Sequence, residues 1–323
     1  MNRGRWLRVT GALLLSLAAL LVASAPSRLD YRPAVPEISG DVASWIENQE
    51  VEVNRKTPLV DNTRKRILWH EGRAGSVTDW AVIYFHGFSA TRQEVAPLPA
   101  RVARGLQANL FETRLAGHGQ MKNPLAEVTA EAWLDDAAEA LGVGLAIGER
   151  VLLMGTSTGA TLALTLLDSP QGERISALVL LAPNFGPADS NSEFLTWPAG
   201  TTLARLVIGS HHSWEPANQL QERYWATSYP IEALVEMMRL VKRVRGQQPI
   251  RTQAALLAVY SPHDTVINTA KLIEGFGQIE APRKRLLALP DADDPANPGM
   301  HVLAGDIRAP HNTTVLADTI IAF

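Results

Sequence analysis

Apolar residues recur along this chain in two alternating rhythms. Short, nearly continuous apolar runs at residues 80–87, 108–114, 151–156, 175–183, 254–260 and 285–289 read as strands, the longer ones buried on both faces, and residues 66–70 read as an earlier strand. Between them the apolar positions take helical spacing, which predicts helices over 94–106, 130–146, 161–167, 269–276 and 313–321. A shorter amphipathic helix over 41–50 puts Val42, Trp45 and Ile46 on one side. Strand and helix in turn predict an α/β fold with a mostly parallel, doubly wound sheet. The rhythm stops at Asn184. Residues 184–246 are loop-rich, carry Trp197, Trp214 and Trp225, and end in a helical piece over 231–245. Their simplest place is a cap inserted over the carboxyl ends of the strands. The expected organisation is therefore a leader (1–25), an N-terminal extension (26–64), a first part of the core (65–183), the cap (184–246) and a second part of the core (247–323).

The leader differs in kind from the rest. Arg3, Arg5 and Arg8 precede an apolar stretch that closes on Ala23-Ser24-Ala25-Pro26, the plan of an export signal cleaved after Ala25. Pro26 hinders cleavage there, and the stretch is near the lower limit of a membrane span, so an uncleaved anchor is the other reading. Either way the folded part is expected outside the cytoplasm, periplasmic, extracellular or held at a membrane. Residues 26–40, with Pro26, Pro33 and Pro36, read as an extended tether.

Composition narrows the chemistry. The 323 residues contain no cysteine, which excludes disulfides, thiolate catalysis and cysteine-ligated zinc. A formal charge of −3 and the lack of a Lys/Arg-rich run give no footprint for nucleic acid. Adjacent His211 and His212 make no metal set without further ligands, so no metal is expected.

One segment does carry chemistry. An apolar run leads into Gly155-Thr-Ser157-Thr-Gly159 and then into a helix-forming tail. The pentapeptide alone recurs by chance. Strand before and helix after make it a nucleophile elbow, where a tight turn strains the serine and presents its hydroxyl at the helix N-terminus. A serine hydroxyl needs a base, and the base needs an orienting carboxylate. Asp264, in Ser261-Pro-His-Asp264, and His301, in Gly299-Met-His301, both follow predicted strands, in the chain order Ser–Asp–His. His311 is the rival base, His263 reads as loop structure, and Asp291, Asp293 and Asp294 read as a solvated acidic loop. The backbone N–H groups of Thr158 and Phe88 are the candidate oxyanion donors. His86 and His118 read as buried braces.

These pieces together resemble the α/β-hydrolase superfamily, nearest its monoacylglycerol lipase-like and serine aminopeptidase S33 group. The matching segments are His86-Gly87-Phe88, Arg114-Leu-Ala-Gly117-His118-Gly119, Gly155-Thr-Ser157-Thr-Gly159, Ser261-Pro-His-Asp264 and His301, within residues 65–323. The resemblance implies an eight-stranded, mostly parallel sheet with helices on both faces, an inserted cap, no cofactor, and hydrolysis of acyl esters through Ser157, Asp264 and His301. The loop before His301 is longer than the pattern, by residues 291–300. Leu195, Trp197, Trp214 and Trp225 are candidates for lining an acyl pocket or for cap packing. The expected partner is a small acyl ester or lipid, with membrane contact through the N-terminal segment. The alternatives are a thioesterase, a prolyl-type aminopeptidase that holds its substrate amine on Glu193, Glu215, Glu222 or Glu232, and an inactive lipid-binding protein on the same fold.

Overall fold

The computed structural model describes residues 26–289 and 297–323. The leader and the acidic stretch with Asp291, Asp293 and Asp294 lie outside the described residues.

The first elements are helix α1 (Val42–Lys56), strand β1 (Arg66–Leu68), β2 (Thr78–Phe85), α2 (Leu98–Gly105), β3 (Asn109–Glu112), α3 (Ala130–Ile147), β4 (Gly148–Thr156), α4 (Thr158–Thr165) and β5 (Ile175–Leu181). An excursion follows, with α5 (Gly200–Ile208), β6 (His211–Ser213), α6 (Gln219–Tyr224), β7 (Ser228–Pro230) and α7 (Ile231–Gly246). The chain then returns through β8 (Ile250–Arg251), β9 (Ala255–Tyr260), α8 (Thr269–Gly277), β10 (Ile279–Glu280), β11 (Lys284–Ala288) and α9 (Asn312–Ala322).

The central sheet has seven strands in the order β1-β3-β2-β4-β5-β9-β11. All pairs are parallel except β1 with β3. Ala81 to Phe85 are each 0 % exposed, so helices cover this strand on both faces. Strands β6 with β7 and β8 with β10 form two small ribbons apart from it.

Each strand read from the apolar runs is present. The eighth strand implied by the resemblance is not, among the described residues. The chain ahead of β1 forms α1 instead, where Asp41 caps the helix by accepting the Ala43 N–H. Glu50 of this helix is buried and pairs with Arg114 at 2.7 Å, which docks a helix, not a strand, beside the sheet edge. A second difference falls at residue 94. The helix predicted from there begins at Leu98, because Pro97 and Pro99 admit only a helix start and Glu94 to Pro97 turn instead.

The excursion between β5 and β9 is not uniform. Helix α7 is pressed against α3 and α4 and buries Ile231, Met238, Leu240 and Val241, so it belongs to the packing of the core. Helix α5 leaves Leu203, Leu206, Val207 and Ile208 exposed. Among the described residues no helix is long and apolar enough to cross a membrane.

Candidate active site

Ser157 joins β4 to α4 with φ 53° and ψ −117°, a strained conformation for a residue with a Cβ. Its neighbours enforce it. The Ser157 N–H donates to Leu181 O at 2.8 Å, and its carbonyl accepts from Thr161 N at 3.1 Å and Asn184 N at 3.3 Å. A Cβ on Gly159 would lie 2.2 Å from Phe85 O, so only glycine lets α4 press this close to β2. The serine is 7 % exposed.

Asp264 and His301 come from the loops after β9 and β11, the two strands next along the sheet. Asp264 Oδ1 accepts the N–H groups of Val266 at 2.8 Å and Ile267 at 3.0 Å, which locks the carboxylate. Its Oδ2 takes the Nδ1–H of His301 at 2.7 Å. This leaves Nε2 as the basic nitrogen of the ring. Burial works against protonation of His301, but the charge and hydrogen bond of Asp264, with a smaller contribution from Glu94, outweigh it and raise the imidazole above its ordinary value. His311 is exposed at the start of α9, and His263 is exposed with its backbone N–H on Ser261 Oγ.

The loop after β2 is a turn closed by Ala90 N–H to Gly87 O at 3.3 Å, with Ser89 at φ 63°. In such a turn the N–H of Phe88 is not used in closing it, whereas that of Ser89 donates to His118 Nε2 at 3.2 Å. Thr158 is the first residue of α4, where backbone N–H groups have no partner within the helix. Two imidazoles hold this loop. His86 Nδ1 bonds Gly87 O at 3.0 Å while Nε2 accepts Leu115 N–H at 3.1 Å, and burial keeps the ring neutral. His118 Nδ1 bonds Ala116 O at 3.0 Å, and burial pulls its pKa down to about 4. Both rings brace the loop and neither is poised to accept a substrate proton.

One buried group was not singled out from sequence. Glu94 is 2 % exposed, and its Oε1 accepts the Tyr84 hydroxyl and the Gly87 N–H, each at 2.6 Å. Burial raises its pKa to about 7, against these hydrogen bonds and the charge of His301. An acidic residue at the head of a predicted helix reads as ordinary surface charge. Only the turn made by the prolines sends it inward.

The four pocket candidates separate. Leu195 is the buried residue of a short helical turn, and Trp225 is 9 % exposed beside Met121 and Tyr224 along a cavity of about 540 Å³. Trp214 is half-buried against the core. Trp197 is 54 % exposed and stacks edge-on with Phe194, so it lines no enclosed pocket. His211 and His212 lie in the β6–β7 ribbon, and among the described residues no group of His, Asp or Glu could hold a metal ion.

The sequence profile of the alpha/beta hydrolase family matches residues 82–308, and the chain belongs to that family. Solved structures agree on the fold. One of the metagenome-derived lipolytic enzymes LipS and LipT superposes with a TM-score of 0.65 at 15 % identity, over 82 % of this chain and 98 % of that one. A monoglyceride lipase of Saccharomyces cerevisiae, bound to a substrate analogue, gives 0.59 at 11 % identity, over 80 % and 90 %. The protein Est1E of Butyrivibrio proteoclasticus, bound to ferulic acid, gives 0.52 at 14 %, over 80 % and 93 %. No curated protein sequence matches the chain.

Proposed function

We propose that this protein is a serine hydrolase that cleaves carboxylic acyl esters through an acyl-enzyme. The observation that carries the reading is the 2.7 Å pair of His301 with Asp264, in the loops after the two strands beyond β5, together with a strained Ser157 in the loop between β4 and the helix that follows it. In this mechanism Ser157 Oγ attacks the ester carbonyl and His301 Nε2 takes its proton. Asp264 keeps the imidazole in the required tautomer and stabilises the imidazolium. The Phe88 and Thr158 N–H groups take the charge that develops on the carbonyl oxygen. The proton then passes to the leaving alcohol, and water activated by the same histidine releases the acid.

Apolar acyl groups suit the surroundings, because the excursion after β5 exposes Phe194, Trp197, Leu203, Leu206, Val207 and Ile208 together. Names of the structural neighbours point to lipids and esters as well. For an aminopeptidase, Glu193 is paired with Arg245 and Lys271, and Glu232 with Arg205, which leaves Glu215 and Glu222 as the carboxylates that could hold a substrate amine. A thioester remains within the same chemistry. Export or anchoring through residues 1–25 is part of the proposal and rests on the sequence pattern alone.

The test is labelling by a fluorophosphonate in wild type, Ser157→Ala and His301→Ala, followed by turnover of p-nitrophenyl esters from acetyl to palmitoyl. Labelling lost in both variants supports the assignment. A wild-type protein that folds but neither labels nor turns over any ester in the series overturns it in favour of a binding protein.

A further inference from the structure

Three segments converge on Glu94. Its carboxylate accepts the Gly87 N–H of the oxyanion loop. The same oxygen holds the Tyr84 hydroxyl, which in turn accepts from Thr156 Oγ1 at 2.9 Å, the residue directly before the nucleophile. The segment that follows His301 lies on the backbone here: a Cβ on Gly305 would be 2.7 Å from Glu94 O, and Asp306 N donates to Ala96 O at 2.9 Å. The second carboxylate oxygen borders Gly87, as the serine does. A Cβ on Gly87 would lie 3.1 Å from Glu94 Oε2 and 3.4 Å from Ser157 Cβ, so these two atoms flank the same point.

Resting on the serine-hydrolase reading, we propose that Glu94 is a positioning residue for the reaction, tying the oxyanion loop to the nucleophile strand through the Gly87 N–H and the Tyr84 hydroxyl. A surface carboxylate could not do this. Glu94 sits where water does not screen it, and its charge favours the imidazolium form of His301 that the transition state requires. The raised value of Glu94, about 7, means that its charge changes over the same pH range as the proposed base, His301. The titratable groups around it are Tyr84 from β2 and His301 with Asp264 behind it. Glu112 from β3 also acts on Tyr84 and is itself held by Arg66 and Arg92.

The experiment compares wild type, Glu94→Gln and Tyr84→Phe in fluorophosphonate labelling and in kcat/KM from pH 5 to 9. Glutamine keeps the acceptor for Tyr84 and Gly87 but is never charged. Phenylalanine keeps the carboxyl but removes a bond that favours its ionised form. Both variants are expected to label at Ser157, with the acid limb of the profile moved to lower pH by about half a unit or more. Glu94→Ala is expected to lose about 10-fold or more in kcat, most of it regained in Glu94→Gln. Acid limbs that superpose on wild type in both labelled variants overturn the role of Glu94. Failure of wild type itself to label at Ser157 overturns the serine-hydrolase reading, and the role of Glu94 with it.

Discussion

At the scale of single residues, the proposed site rests on one strained serine and one oriented imidazole. Replacing Ser157 with alanine is expected to lower kcat by about 10⁴-fold or more while leaving thermal unfolding nearly unchanged, since the fold already holds position 157 at φ 53°. Turnover close to wild type in that variant would remove Ser157 from the mechanism. His301 must be neutral to accept a proton, so kcat/KM is expected to rise with pH through a midpoint above the ordinary histidine value of 6.5, because Asp264 raises it. A flat profile from pH 5 to 9 is the contrary result. Glu94 carries a prediction about stability. Its value in the fold, about 7, lies above the ordinary 4.5, so the fold favours the neutral carboxyl. That contribution is complete below about pH 4.5 and is lost as pH rises through about 7, a change of about 3 kcal/mol. Glutamine has no such charge to bury. In urea unfolding, Glu94→Gln is therefore expected to gain on wild type as pH is raised from 5 to 8, and a difference independent of pH would contradict the burial of a titrating acid.

At the scale of elements, the loops of the proposed site are held from outside the sheet. Helix α1 reaches the segment after β3 through Glu50, whose carboxylate takes both Nε and Nη2 of Arg114 with side chains 1 % and 5 % exposed. Asp136 of α3 accepts the Ala116 N–H at 2.6 Å and sits 3.7 Å from Lys65, so the segment leading to His118 is clamped on two sides. His118 then fixes Ser89, and Ser89 fixes the turn that presents Phe88. Truncating Glu50 to alanine leaves a buried guanidinium without its partner. The expected cost is about 3–5 kcal/mol in chemical unfolding. An unfolding free energy within error of wild type would show that α1 docks without this pair. Such clamps were not legible beforehand. Glu50 and Asp136 lie on helices whose charged positions look like ordinary solvated faces, and nothing local marks the two that turn inward. The elements themselves were legible, because strands buried on both faces must be apolar throughout and helices covering them must be apolar on one side.

At the scale of the whole molecule, the excursion after β5 leaves apolar side chains exposed among the described residues. Substituting serine at Leu206 and Val207, which are 78 % and 84 % exposed, is expected to leave the melting temperature and the turnover of a soluble acetyl ester unchanged. Turnover of an emulsified long-chain ester is expected to fall in the same variant. Equal rates on both substrates would make the exposed patch irrelevant to catalysis. Local sequence was sufficient for the alternation of strands and helices, for the elbow at Ser157, and for the order of the serine, aspartate and histidine. Each of these follows from short-range patterning or from a turn that only certain residues can make. Tertiary packing alone decided that the sheet has seven strands among the described residues, that α7 joins the core, and that His301 and not His311 meets Asp264. It also decided that Glu94 is a buried acid. These outcomes depend on which distant segments arrive at one place, and burial, the property that turns a carboxyl from solvated charge into part of a site, exists only once they have.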